Sequence, residues 1–79
     1  MLSEEKRREL RRRAMNLPLH PGVYIMHDHS GQIIYIGKAK ALKNRVSQYF
    51  GSEKNHAEKV RQMVAHVDWF EYILTDSEF

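Results

Sequence analysis

No cysteine occurs among the 79 residues, which excludes a disulfide framework and any thiolate-bound metal. A chain without disulfides fits a reducing compartment, and a cytoplasmic location is the expectation. Long apolar runs are also missing. The longest, "VYIM" and "IIYI", fall far short of the ~20 residues that cross a bilayer, so no membrane partner is expected. The polar N-terminus lacks the apolar core of a signal peptide. No internal repeat or low-complexity segment is visible. A Gly-Lys pair stands at Gly37 and Lys38, but no Gly lies five residues earlier and no Ser or Thr follows, so a P-loop is excluded. Length allows one domain at most, and a chain this short buries only about 60% of its unfolded surface.

Acids are absent from a long central stretch. Between Asp28 and Glu53 there is no Asp or Glu, while Lys38, Lys40, Lys43 and Arg45 follow one another closely. A second basic block, "KRRELRRR", puts six cations and one acid into residues 6 to 13. From His66 onward the balance reverses, with four acids and no Lys or Arg. Two basic blocks on a small domain of net charge +3 point to a polyanion, DNA or RNA. A solvated helix face is the plainer explanation of the first block.

Ser3 followed by Glu4 and Glu5 predicts a helix start, with a hydroxyl cap and acids at the positive end of the dipole. The helix is expected to reach about Met15, with a thin apolar face of Leu10 and Ala14, extended by Leu17, lying on the surface. "LPLHPG" stops it. Residues 22 to 27 and 32 to 37 are rich in Val, Ile and Tyr and predict paired strands, joined by a turn at "DHSG". A loop of two or four residues there sets Tyr24 opposite Tyr35 and His27 opposite Gln32. From Ala41 the period becomes helical, with Leu42, Val46, Tyr49 and Phe50 as the stripe and Arg45 on its edge. A second helix is expected from about Asn55, burying Ala57, Val60, Val64 and Val67. "DWFEYILT" is a third strand, with Phe70, Tyr72 and Leu74 on one side and Trp69 and Ile73 on the other. The fold class is α+β: a small three-stranded antiparallel sheet flanked by helices. Asp76 or Ser77 followed by Glu78 resembles another helix start, so the chain is expected to be a fragment.

Tyr24 and Tyr35 as a cross-strand aromatic pair would simply stabilise the hairpin. The functional alternative is that Tyr24, Tyr35, Lys38 and Arg45 converge beside one strand end. Two cations there would grip phosphate, and a buried phenol with its pKa lowered by them or by a metal could serve as general base. Phosphodiester hydrolysis would also need a divalent cation, and magnesium requires a carboxylate that this stretch does not contain. His27 and His29 flank Asp28, but at a hairpin tip without a fourth ligand they read as polar turn residues.

The run "LPLHPGVYIMHDHSGQIIYIGKAKALKNRVSQYF", with "GVY" at Gly22 to Tyr24 and "YIG" at Tyr35 to Gly37, resembles the GIY-YIG nucleases. The nearest likeness is to the N-terminal nuclease domains of the bacterial UvrC excinucleases. The likeness is strong from Leu17 to Phe50 and looser through "YILTDSEF". It implies the GIY-YIG endonuclease fold, cut short at the C-terminus: a basic helix over residues 1–16 and an incomplete nuclease domain over 17–79. Tyr24 and Tyr35 would be the motif tyrosines, with Tyr35 activating the attacking water beside Mg²⁺ or Mn²⁺. Lys38 would hold that tyrosine and the nearby phosphate, Arg45 would bind the scissile phosphate, and Tyr49 would complete the catalytic set. Lys38, Lys40, Lys43 and Arg45 would line the path of DNA. Gly22 and Gly37 would be turn glycines, Gly37 letting the backbone turn out of its strand. The family's metal-binding glutamate is expected beyond Phe79, so this chain would hold no metal ligand and be inactive alone; Glu78 falls roughly two helical turns early. The implied activity is incision of damaged double-stranded DNA on the 3′ side of a lesion in bacterial nucleotide excision repair, with UvrB as partner. A stand-alone GIY-YIG nuclease, a non-catalytic DNA-binding module and a purely structural hairpin domain remain as alternatives.

Overall fold

The computed structural model describes residues 2–52, 54 and 56–76. Its elements run α1 (Glu4–Met15), β1 (Gly22–His27), β2 (Ile33–Ala39), α2 (Leu42–Tyr49), α3 (Glu58–Ala65) and β3 (Trp69–Leu74). The strands form one antiparallel sheet in the order β2-β1-β3. The expected α+β architecture is therefore the one found. Ser77, Glu78 and Phe79, where a further helix start was expected, lie outside the described residues, as does Asn55. Among the described residues no helix is long and apolar enough to cross a membrane.

Each element follows from local chemistry. Ser3 caps α1 by accepting the Lys6 amide at 3.0 Å, and Glu4 and Glu5 occupy the first turn. Leu10 and Ala14, four apart on one face, are fully buried, so α1 is anchored more deeply than its thin stripe suggested. In the hairpin, the Asp28 carboxylate accepts the Ser30 amide at 2.9 Å, the Ser30 hydroxyl at 2.8 Å and the Gln32 amide at 3.0 Å. Gly31 sits at φ 90°, in the left-handed region that side chains disfavour. α3 starts at Glu58, later than expected. Val64 and Val67 are buried, while Ala57 is exposed.

The register differs from the expected one. Tyr24 stands opposite Gly37 and Met26 opposite Tyr35, and a bulge between Met26 and His27 sets His27 opposite Ile33. Two effects add: the Asp28 amide donates to the Gln32 carbonyl, closing a loop of odd length in place of the two- or four-residue turn assumed and moving the register by one, and the bulge between Met26 and His27 moves it by one more. The displacement is by two residues, so both tyrosines stay on one face, as diagonal rather than direct neighbours. β2 also continues to Ala39, which puts Lys38 inside the strand.

The core lies on the sheet face bearing Tyr24 and Met26, against Leu10, Ala14, Leu42, Val46, Phe50, Val64 and Val67. Phe50 stacks on Phe70 with ring centroids 6.0 Å apart, joining the end of α2 to β3. The other face is open, with Ile36 58% and Ile73 56% exposed. His27 is not a turn residue. It ends β1, is 6% exposed, stacks on Trp69 at 3.9 Å and meets Glu71 Oε2 at 2.7 Å.

Candidate active site

Three phenols gather where β1, β2 and α2 meet. Ring centroids of Tyr24 and Tyr35 are 6.0 Å apart, those of Tyr24 and Tyr49 5.7 Å, and those of Tyr35 and Tyr49 6.4 Å. Tyr24 and Tyr49 share a hydrogen bond of 2.7 Å between their hydroxyls. Tyr24 is buried and Tyr49 half-buried, whereas Tyr35 is 42% exposed. The three tyrosines named from the sequence are thus brought together.

Glycine makes this gathering possible. A Cβ at Gly37 would collide with Cζ and Oη of Tyr24, so the phenol occupies the place where any other residue would carry its side chain. The expected role of Gly37, turning the chain out of its strand, is not the one observed, because Gly37 lies inside β2. Gly22 opens β1 and is approached by the Ile73 carbonyl and the Leu42 side chain, each 2.6 Å from where its Cβ would stand. It too is a close-packing glycine rather than a turn.

The electrostatics contradict one expectation. The buried phenols are not lowered. Tyr24 is pushed well above the ordinary phenol value, first by burial and then by its hydrogen bond with Tyr49, and the opposing charge of Arg45 is too weak to reverse this. Tyr49 is raised as well, again mainly by burial. Desolvation outweighs the cations because the rings sit in the core while Arg45 reaches them from an exposed position.

Beside the phenols lies an open pocket of about 460 Å³, lined by Lys38, Ala39, Lys40, Ala41, Asn44, Arg45 and Gln48. Lys38 and Arg45, expected to converge, both line it, and Lys40 joins them. Lys43 does not line the pocket. Asn44 and Gln48 were not anticipated. Gln48 lies three residues after Arg45 and four after Asn44 on α2, so helical spacing alone puts it on the pocket side once Arg45 is placed there. The helix bearing Arg45 and Tyr49 is seated at its start by the proline loop: the Leu42 amide donates to the His20 carbonyl at 3.1 Å and the Lys43 amide to the Pro18 carbonyl at 3.2 Å. Ala41 offers no side-chain cap, so these carbonyls satisfy the first amides instead.

The described residues contain no group of three or more His, Cys, Asp or Glu side chains that could hold a metal ion. They do not fit a divalent cation by themselves. The arrangement can bind a phosphate among cations; none of the three phenols lines that pocket, and Tyr35 is the accessible one.

Residues 20–79 match the family of the UvrC-like GIY-YIG domain. The chain belongs to that family. Relatives include the UvrABC system protein C of Lachnospira eligens, 66% identical over 62 residues, and that of Clostridium kluyveri, 64% identical over 62 residues. Each alignment takes in 78% of this chain and 10% of the relative, so the chain spans about a tenth of the length of those proteins. Among solved structures, the GIY-YIG N-terminal endonuclease domain of UvrC from Thermotoga maritima, bound to its catalytic divalent cation magnesium, is 37% identical with a TM-score of 0.73. The superposition covers 86% of this chain and 72% of that one. A point mutant of the same domain, also bound to its catalytic divalent cation, gives a TM-score of 0.75 at 36% identity over 89% of this chain and 73% of that one. The GIY-YIG family thus accounts for the "GVY" and "YIG" segments, which the sheet sets side by side.

Proposed function

We propose that this chain is the N-terminal nuclease module of a UvrC excinuclease, cutting damaged double-stranded DNA on the 3′ side of the lesion by hydrolysis of a phosphodiester. The observation that carries this is the exposed Tyr35 phenol at the mouth of a cluster whose other two phenols bond each other, beside a pocket lined by Lys38, Lys40 and Arg45. In this scheme Arg45 and Lys38 bind the non-bridging oxygens of the scissile phosphate, where a guanidinium can grip two oxygens at once. Tyr35 activates the attacking water, Tyr24 and Tyr49 hold it in position, and Lys40 and Lys43 follow the flanking backbone. Mg²⁺ or Mn²⁺ would be the cofactor and would supply Lewis-acid stabilisation of developing charge, held by a carboxylate other than those of the described residues. UvrB is the partner, and the bacterial cytoplasm, where the DNA lies, is the location. The UvrABC system protein C relatives and the magnesium-bound Thermotoga domain support these assignments.

The test replaces the matching N-terminal segment of the Lachnospira eligens protein with this chain. Nicking of a lesion-containing duplex is then measured with Mn²⁺ and the partner proteins. Nicking 3′ of the lesion, abolished by Tyr35→Phe, is the expected result. A chimera that binds the duplex and never nicks would make the chain a DNA-binding module and its tyrosines hairpin packing.

A further inference from the structure

The last turn of α2 carries no basic residue of its own, and its final carbonyls take backbone amides only from just past the helix, Phe50 on Ser47 at 3.2 Å and Gly51 on Gln48 at 3.4 Å. Side chains from elsewhere reach them. Arg11 Nη1 donates to the Ser47 carbonyl at 3.2 Å, and Arg7 Nη1 donates to the Phe50 carbonyl at 2.6 Å with a longer contact to Gly51 O at 3.5 Å. His56 Nε2 lies 3.1 Å from the Gln48 carbonyl; because that oxygen only accepts, Nε2 is the nitrogen that carries the proton. The Arg11 guanidinium is pressed so closely against the chain that a Cβ at Gly51 would stand 2.7 Å from Nη1. Arg7 is itself held from behind by the Glu4 carboxylate, through Nε and Nη2. Helical spacing makes this possible, since Arg7 and Arg11 flank the buried pair Leu10 and Ala14 on one side of α1.

Tyr49 is the last residue of α2, so these carbonyls bracket it on both sides. Its hydroxyl is the one bonded to Tyr24. We propose that Arg7 and Arg11 are positioning residues of the nuclease site: from α1 they fix the final turn of α2, and through it Tyr49 and the Tyr24–Tyr49 hydrogen bond. The proposal rests on the nuclease function argued above. It gives α1, which lies outside the residues matched by the family, a part in turnover. It also divides the first basic block. Arg7 and Arg11 engage the end of α2, Arg11 from an exposed position, whereas Arg8 pairs with Glu4 and Arg12 and Arg13 stand exposed on the helix.

Two measurements test this on Arg11→Met, Arg11→Lys and the exposed control Arg12→Met. In the full-length chimera, Arg11→Met is expected to lower kcat by about tenfold or more, the scale set by a displaced reacting group. KM for the duplex should change by less than about twofold, because the pocket cations are untouched. Arg12→Met should leave kcat where it was, and Arg11→Lys should recover part of it. In the 79-residue chain itself, ultraviolet titration should find the two buried phenols ionising at lower pH in Arg11→Met, as the clamp loosens and water reaches them. An unchanged kcat in a folded Arg11→Met protein, or an unmoved phenol titration, overturns the proposal. If Arg11→Met does not fold, Arg11→Lys against the native chain makes both comparisons. Should the chimera with native Arg7 and Arg11 never nick, the nuclease function falls, and the phenol titration still decides whether the clamp exists.

Discussion

The hydroxyls of Tyr24 and Tyr49 lie 2.7 Å apart, and the ring of Tyr24 rests where a side chain at position 37 would have to go. One short contact thus ties β1 to α2 across a strand that contributes only backbone at that point. Both phenols are held above their ordinary value of 10.0, burial being the largest cause for each.

The pH dependence follows with a definite sign. Below about pH 10 these phenols are protonated in the folded and the unfolded chain, and their contribution to stability is fully present. Above it the unfolded chain sheds its protons first, so stability falls by up to about 1.4 kcal/mol per pH unit for each phenol until the folded phenols titrate too. Urea midpoints measured from about pH 9 upward should show this decline, and Tyr24→Phe should make it shallower. At neutral pH the same substitution should cost about 0.5–1.5 kcal/mol for the lost hydrogen bond.

Gly37→Ala should be unusually damaging for a change of one methyl. The added carbon meets Tyr24 Cζ and Oη directly, and crowding of this kind costs about 1–3 kcal/mol. Pairing it with Tyr24→Ala removes the clash. The double variant should therefore be more stable than the sum of the single losses predicts, with a coupling of at least about 0.5 kcal/mol. Additive losses would mean that Tyr24 does not fill that space.

Arg45→Ala and Lys40→Ala should separate chemistry from attraction. Arg45 lines the pocket and its charge reaches both buried phenols, so its loss should lower kcat for nicking far more than it weakens DNA binding. Lys40→Ala should weaken binding to all duplexes alike and reduce the dependence of log affinity on log salt by about one unit or less. Equal effects of the two substitutions on kcat would remove the distinction.

Phe50→Ala should cost about 3–5 kcal/mol, because the ring is fully buried and stacks on Phe70. A domain of this size has little more than that to lose. Chemical denaturation should find the variant largely unfolded in buffer.

Much of this molecule is legible in its residues. Caps and stripes gave α1 and α2 nearly to the residue, and alternation gave three strands and the sides on which Phe70 and Ile73 lie. Lys38 and Arg45 share a pocket lining because a strand end and a helix start are close in sequence. The failures share a cause, which is that nonlocal geometry decides them. A turn of odd length and a bulge beside His27 together shift the hairpin register by two residues, and no turn statistic reports the bulge. His27 looks like a turn residue until Trp69 and Glu71, more than forty positions away, are seen to enclose it. Charge in "KRRELRRR" suggests a polyanion, yet two of its arginines end on the carbonyls of α2 and the residue after it. The direction of the phenol shifts depended on burial against charge, a balance that only packing depth resolves.

Strand order has a consequence for the nascent chain. β1 is the middle strand, and its second neighbour, β3, begins at Trp69, long after His27 has left the ribosome. At about 5–20 residues per second, roughly two to eight seconds separate the two. The hairpin closes within microseconds once β2, which ends at Ala39, has emerged, so for most of that interval it presents one complete, unsatisfied row of backbone donors and acceptors. Emerging polypeptide, rather than the finished domain, is when this fold is most exposed to wrong pairing.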